Sequence, residues 1–182
     1  VNREHIREVA DFPQTRTFNL GCEFIEQNHD QDNWFLHIET FDPHEPFYAP
    51  QEYLDLYPED YEGEHFDWPR GEVHEKSDEI AHCRRQYQAL VTMCDHSLGR
   101  VLDLMDRYDL WKDTMLIVGT DHGFLLGEHG WWGKNQMPYF NEVAHTPLFV
   151  WDPRYGVAGE RRESIVQMID WAPTLYGLFG VD

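Results

Sequence analysis

Between residues 87 and 105 the apolar positions recur every three or four residues. Tyr87, Leu90, Val91, Cys94, Leu98, Val101, Leu102 and Met105 fall on one stripe, which predicts a long amphipathic helix. Ser77 and Asp78 mark its start, with acids in the first turn, and Tyr108 its end. A shorter helical pattern, Phe18, Cys22 and Ile25, covers Thr17 to Asn28 and runs into a polar turn from Asp30 to Asn33. Trp34 to Phe41 is apolar and aromatic and reads as a strand. Met115 to Gly119 reads as a buried strand, with Trp111-Lys112-Asp113 leading into it, and Pro147 to Trp151 as a short one. Ser164 to Gly180 opens as strand or turn and continues as a helix after Pro173. Strands alternating with helices predict an α/β fold, a mostly parallel sheet with right-handed crossovers and flanking helices.

Residues 45–76 break this rhythm. They carry Pro46, Pro50, Tyr53, Tyr57, Pro58, Glu59, Asp60, Tyr61, Glu62, Glu64, His65, Asp67, Trp68 and Pro69. Their composition reads as a solvated acidic connection, although a loop this long inside a domain is often functional.

A chain of 182 residues fits one domain, and 41% hydrophobic with 15% aromatic residues is ample for a core. The net charge of −20 argues against nucleic acid or an anionic membrane as partner, since both demand basic surface. No apolar run is long enough to span a bilayer. Three irregularly spaced cysteines form neither a zinc pattern nor an even disulfide set, and they assign no compartment.

The chemistry concentrates after the strand at 115–119. Asp121 and His122 stand at its C-terminal end, where open α/β sheets bind ligands. A glycine-punctuated loop follows, and Lys134 arrives twelve residues after the histidine. Asp and His offer hard oxygen and borderline nitrogen to a divalent cation, and an ammonium suits an anion held against it. Taken alone, Asp-His-Gly reads equally well as a capped strand end. Lys134 by itself reads as a surface lysine, and His44 as a histidine packed beside Pro43 and Pro46.

The surroundings decide between these readings. Met115 to Lys134 resembles the third metal motif of the sulfatase family, within the alkaline-phosphatase superfamily. It has the Asp-His form found in iduronate-2-sulfatase-like enzymes and phosphonate monoester hydrolases. Asp42-Pro43-His44-Glu45-Pro46-Phe47 resembles the family's Pro-His-x-Pro-Phe segment. Ala144 to Val150 resembles the strand after the lysine, and Met168 to Leu175 the family's Asp-x-x-Pro-Thr-Leu helix start. The Cys/Ser-x-Pro-x-Arg motif that matures to formylglycine is absent from these residues, because Cys22, Cys83 and Cys94 have other neighbours.

The resemblance implies residues 1–182 as a single partial domain, the middle to C-terminal part of an alkaline-phosphatase-like α/β fold. Its N-terminal strands and C-terminal subdomain are expected elsewhere. It also places residues 45–76 near the site. Asp121 and His122 match metal ligands, for Ca2+ or alternatively Mn2+, with the remaining ligands and the formylglycine upstream. Lys134 matches the lysine on the sulfate oxygens, and His44 the histidine near the ester oxygen. The implied activity is hydrolysis of a small-molecule or saccharide sulfate ester. Two alternatives stand beside it: a phosphonate or phosphate ester hydrolase or phosphoethanolamine transferase of the same superfamily, and a non-catalytic metal-binding or interaction module. Glu128, His129 and His145 lie in recognisable segments without an assigned role. His5, His29, His65, His74, His82 and His96 read as surface or helix residues. Without the N-terminal strands, an apolar sheet face is expected to be exposed and to promote self-association.

Overall fold

The computed structural model describes residues 3–181. α1 (Pro13–Asn28) starts ahead of its apolar pattern because Pro13 occupies the first helical position, where its missing N–H costs nothing. α2 (Gln51–Leu54) and β1 (Gly71–Glu72) lie within the acidic segment. α3 (Ser77–Arg107) opens at the predicted residue, where Lys76 N–H donates to Glu79 Oε2 at 2.8 Å, and it closes at Tyr108. β2 (Leu116–Gly119), β3 (Leu125–Leu126), β4 (Trp131–Gly133), α4 (Asn141–Ala144), β5 (Leu148–Trp151) and α5 (Trp171–Phe179) follow.

α3 is the spine, with one hydrophobic core on each half. Around its N-terminal half Cys83, Ala89, Leu90 and Met93 pack with Phe12, Phe47, Ala49 and Trp132. Around its C-terminal half Val101, Leu104 and Met105 pack with Cys22 and Ile25 of α1 and with Leu110. The buried face is rotated from the predicted stripe. Leu90, Val101 and Met105 are buried as expected, but Val91 is exposed, and His82, Gln86 and Ser97 are buried instead. His82 enters this face because its neighbours satisfy it. His82 Nδ1 faces Glu59 Oε1 at 2.9 Å and its Nε2 faces His65 Nδ1 at 3.2 Å. His82 is therefore a helix residue as read, yet an interior one.

Three expectations are corrected. Trp34 to Phe41 pairs with no strand among the described residues. It keeps the two-residue alternation of a strand: Trp34, Leu36, Ile38 and Thr40 are sheltered, while Phe35, His37, Glu39 and Phe41 are exposed. Its inner side chains pack on α1, and Gly21 makes room for them, since a Cβ there would lie 2.5 Å from Ile38 Cδ1. Periodicity encodes which side is buried; a ladder also needs a neighbouring backbone.

Nor do the strands form a parallel sheet with crossovers. β2 pairs antiparallel with β5, from Leu116↔Trp151 to Gly119↔Leu148, and β4 lies antiparallel between β1 and β3. The path from β2 to β5 carries no crossover helix. It folds into the β3–β4 hairpin against α3 and returns through α4, so β5 arrives in the opposite direction.

Residues 45–76, finally, are no solvated connection. Phe47, Ala49 and Pro69 are buried, Arg85 of α3 donates to the Leu54 carbonyl at 2.8 Å, and Tyr57 Oη lies 2.6 Å from Thr92 Oγ1. The exposed acids mark the outer side of a segment whose aromatic residues, with the buried Pro50 and Pro69, face inward and complete the first core.

An apolar surface is left uncovered at the C-terminal end. α5 buries no residue, Phe149 of β5 is 67% exposed, and Ile165 is 92% exposed. No helix among the described residues is long and apolar enough to cross a membrane.

Candidate active site

The β3–β4 hairpin places Lys134. Trp132 is buried, with its indole N–H donating to Glu75 Oε2 at 2.7 Å, and the register Leu125↔Gly133 turns the next residue toward Phe124. Gly133 takes φ +93°, a left-handed conformation that suits glycine. Lys134 Nζ then lies 5.6 Å from the Phe124 ring centre.

His44 comes to the same place from the other side. Phe47, fully buried, stacks edge-on against Phe124 and Tyr87 with ring centres 5.3 Å apart in each case. Its N–H donates to the Asp67 carbonyl at 2.7 Å. So anchored, the segment holds His44 Nε2 at 2.8 Å from Lys134 Nζ, although the two are 90 positions apart. An ammonium only donates, so Nε2 accepts and the ring proton sits on Nδ1, where the Glu45 carbonyl and carboxylate receive it. Glu45 Oε2 also pairs with Lys134 Nζ at 3.1 Å. Sequence reasoning gave Glu45 no role; the available signal was an acid at the variable position of Pro-His-x-Pro-Phe, opposite in charge to Lys134.

Asp121 and His122 stand just beyond β2, both solvent-accessible. Asp121 Oδ1 accepts the His122 backbone N–H at 2.8 Å. His122 Nδ1 lies 3.0 Å from the Gly123 carbonyl, an acceptor, which places the proton on Nδ1. The Nε2 lone pair then faces Asp121 Oδ2 at 3.5 Å. Two acceptors directed at one space suit a shared cation, and the backbone bond holding Nδ1 is the arrangement that orients histidine ligands. Among the described residues no group of three or more His, Cys, Asp or Glu side chains converges on a metal position, so the pair is a partial ligand set. No hydrogen bond or ion pair among those residues joins it to Lys134. The link is covalent and steric: His122, Gly123 and Phe124 are consecutive, and the Phe124 ring underlies the lysine.

The sulfatase family model matches residues 10–181. The chain belongs to the sulfatase family. An arylsulfatase of Clostridium perfringens is 27% identical over 184 residues, covering 90% of this chain and 37% of that protein. Human iduronate 2-sulfatase is 27% identical over 202 residues, covering 81% of this chain and 36% of that protein. In fold, the phosphonate monoester hydrolase of Agrobacterium radiobacter superposes with a TM-score of 0.77 at 22% identity, covering 97% of this chain and 40% of that one. The chain thus spans a little over a third of the length of these relatives.

Three further features of the chain bear on its chemistry. Its thiols are poor nucleophiles: burial pushes Cys83 up to about 12 and Cys94 up to about 11, and raises Cys22 as well. Glu128 and His129 are structural neighbours of the site. Glu128 accepts the Leu126 N–H and pairs with Arg84, while His129 stacks on Phe140 and faces Glu142 at 3.1 Å. Asp42, two residues before His44, is pushed up to about 6 by burial, against a weaker opposing effect of His44.

The elevated Asp42 value has a direction in stability. Its folded value lies above that of the unfolded chain, so its favourable contribution is full below the ordinary carboxylate range and is lost as pH rises through about 6. At pH 8 the folded protein carries a half-buried carboxylate. Asp42→Asn should therefore stabilise by about 1–2 kcal/mol near pH 8, allowing for partial exposure, and by nothing near pH 4. Urea unfolding of both proteins at the two pH values measures this, and a gain independent of pH would refute it.

Proposed function

We propose that this chain carries part of the active site of a sulfuric ester hydrolase. The observation supporting it most strongly is the meeting of His44 Nε2 and Lys134 Nζ at 2.8 Å, with Lys134 over the ring of Phe124, two residues after His122. Lys134 would hold the oxygens of the transferring sulfuryl group. His44 would sit at the ester oxygen and assist the departing alcohol. Asp121 Oδ2 and His122 Nε2 would supply two ligands to a divalent metal, calcium or manganese, completed by residues outside this chain. Such a metal, when bound, supplies charge stabilisation for the sulfuryl oxygens. The nucleophile, expected to be formylglycine, would also come from outside, in keeping with the high values of the three thiols. The relatives named arylsulfatase and iduronate 2-sulfatase support this class of substrate.

A second reading, hydrolysis of a phosphonate monoester, is supported by the same Asp121–His122 pair. Assaying the full-length protein with nitrophenyl sulfate and nitrophenyl phenylphosphonate, each with calcium or manganese, separates the two. Sulfate ester turnover abolished by Asp121→Ala is the expected result. Turnover of neither ester would remove both readings and leave a non-catalytic module.

The exposed apolar face of β5 and α5 supports the expectation of association. The isolated 182-residue chain should form dimers or larger species in light scattering, and a monomer at high concentration would contradict this.

A further inference from the structure

Glu45 lies between the residues proposed to hold the anion and to assist the leaving group. Its Oε2 is 3.1 Å from Lys134 Nζ and 3.3 Å from His44 Nδ1. The Glu45 and Lys134 side chains are only 14% and 10% exposed, so water and salt screen their charges weakly. Neither the Nδ1 proton of His44 nor the local backbone requires an acid here, because the Glu45 carbonyl already accepts that proton. The carboxylate therefore does something an uncharged side chain at this position would not do. It cancels the charge of Lys134.

Lys134 brings the positive charge an anion would meet, and Glu45 sets a negative charge 3.1 Å from it. An ester oxygen hydrogen-bonded to Lys134 Nζ would lie about 5 Å from Glu45 Oε2, given an ordinary contact of about 2.9 Å and a tetrahedral ammonium. At that distance, in a weakly screened site, each negative charge on the ester is repelled separately by the carboxylate. A singly charged group meets this repulsion once and a doubly charged group twice.

We infer that Glu45 is a charge filter: paired with Lys134, it lowers the preference of the site for doubly charged esters relative to singly charged ones. Sulfate monoesters and phosphonate monoesters carry one charge at the reacting centre, whereas phosphate monoesters carry two above their second ionisation. The inference rests on the reading of Lys134 as the residue that holds the anion. It deepens that reading by assigning selectivity to a neighbour that needs no contact with the ester.

The test uses two benzyl compounds whose C–S and C–P bonds resist hydrolysis, so it needs no turnover. Phenylmethanesulfonate carries one charge and phenylmethylphosphonate, above its second ionisation, two. Calorimetry gives Kd for both with full-length wild type, Glu45→Gln and Lys134→Ala. Glutamine keeps the shape and an acceptor for Lys134 while removing the charge. The expected result is that Glu45→Gln moves the affinity ratio toward the phosphonate by about tenfold or more, while Lys134→Ala weakens both ligands. If Lys134→Ala weakens both ligands but Glu45→Gln leaves their ratio unchanged, or weakens both equally, the charge filter is overturned and Lys134 keeps its role. If Lys134→Ala affects neither ligand, the reading of the anion site fails, and the filter with it.

Discussion

Replacing His44 by alanine in the full-length protein should slow hydrolysis of an alkyl sulfate by about 10²–10⁴-fold, the usual contribution of one general acid, and barely affect nitrophenyl sulfate. The difference arises from the leaving groups. An alkoxide departs only with a proton, whereas nitrophenolate is stable without one. The geometry adds a condition. His44 Nε2 accepts from Lys134 Nζ at 2.8 Å, so the proton bound for the leaving oxygen must first reach Nε2, and the ammonium is its nearest source. Lys134→Ala should consequently harm both substrates, through lost sulfuryl binding, and the alkyl sulfate more. The measurement is kcat/KM for both esters in wild type and both variants. An equal loss on both esters in His44→Ala would take the acid role away from His44 and leave it a neighbour of Pro43 and Pro46.

The second large effect is expected at Gly123. The residue sits between His122 and Phe124, and its N–H donates to the Val143 carbonyl at 2.9 Å. A Cβ at this position would lie 1.8 Å from the Glu142 carbonyl oxygen and 2.9 Å from its carbon, both backbone atoms that cannot swing aside. Gly123→Ala must separate the loop from α4, sacrificing that hydrogen bond and moving His122 and Phe124 together. The expected cost is about 2–4 kcal/mol in stability, from forced overpacking and a lost backbone bond. Because Phe124 underlies Lys134 and packs on Phe47, both halves of the site should shift. Denaturant unfolding gives the stability change, and activity assayed on the folded fraction gives the second. Gly130→Ala is the control: its Cβ would meet nothing within 4 Å, so steric overlap is absent there and only its left-handed φ of +76° remains. A Gly123→Ala protein as stable as wild type would show that the loop is not confined by α4.

Local pattern alone located α3 to the residue at its start, the strand ending before Asp121, and the short strand at 148–151. In each case a run of apolar positions is a sufficient physical statement that a regular element forms there. The ordered motifs identified the family for the same reason, since they are contiguous stretches whose spacing is itself the signal. The segment at 34–41, read as a strand, pairs with no strand among the described residues, yet its burial alternates as a strand's does.

What the pattern could not contain is partnership. Whether an extended segment becomes a ladder, and in which direction, depends on a second backbone, and the β3–β4 hairpin returned β5 antiparallel where crossovers were expected. Which face of α3 is buried depends on what covers it, so Glu59 and His65 could draw His82 inward against its polarity. The acidic segment could become core because Phe47 found Phe124 and Tyr87 across the chain. The joining of Glu45 to Lys134, 89 positions apart, belongs to the same class. A residue's own chemistry states what it can offer, and only the fold decides to whom, because contact energy falls off within a few ångströms while sequence separation sets no limit on distance in space.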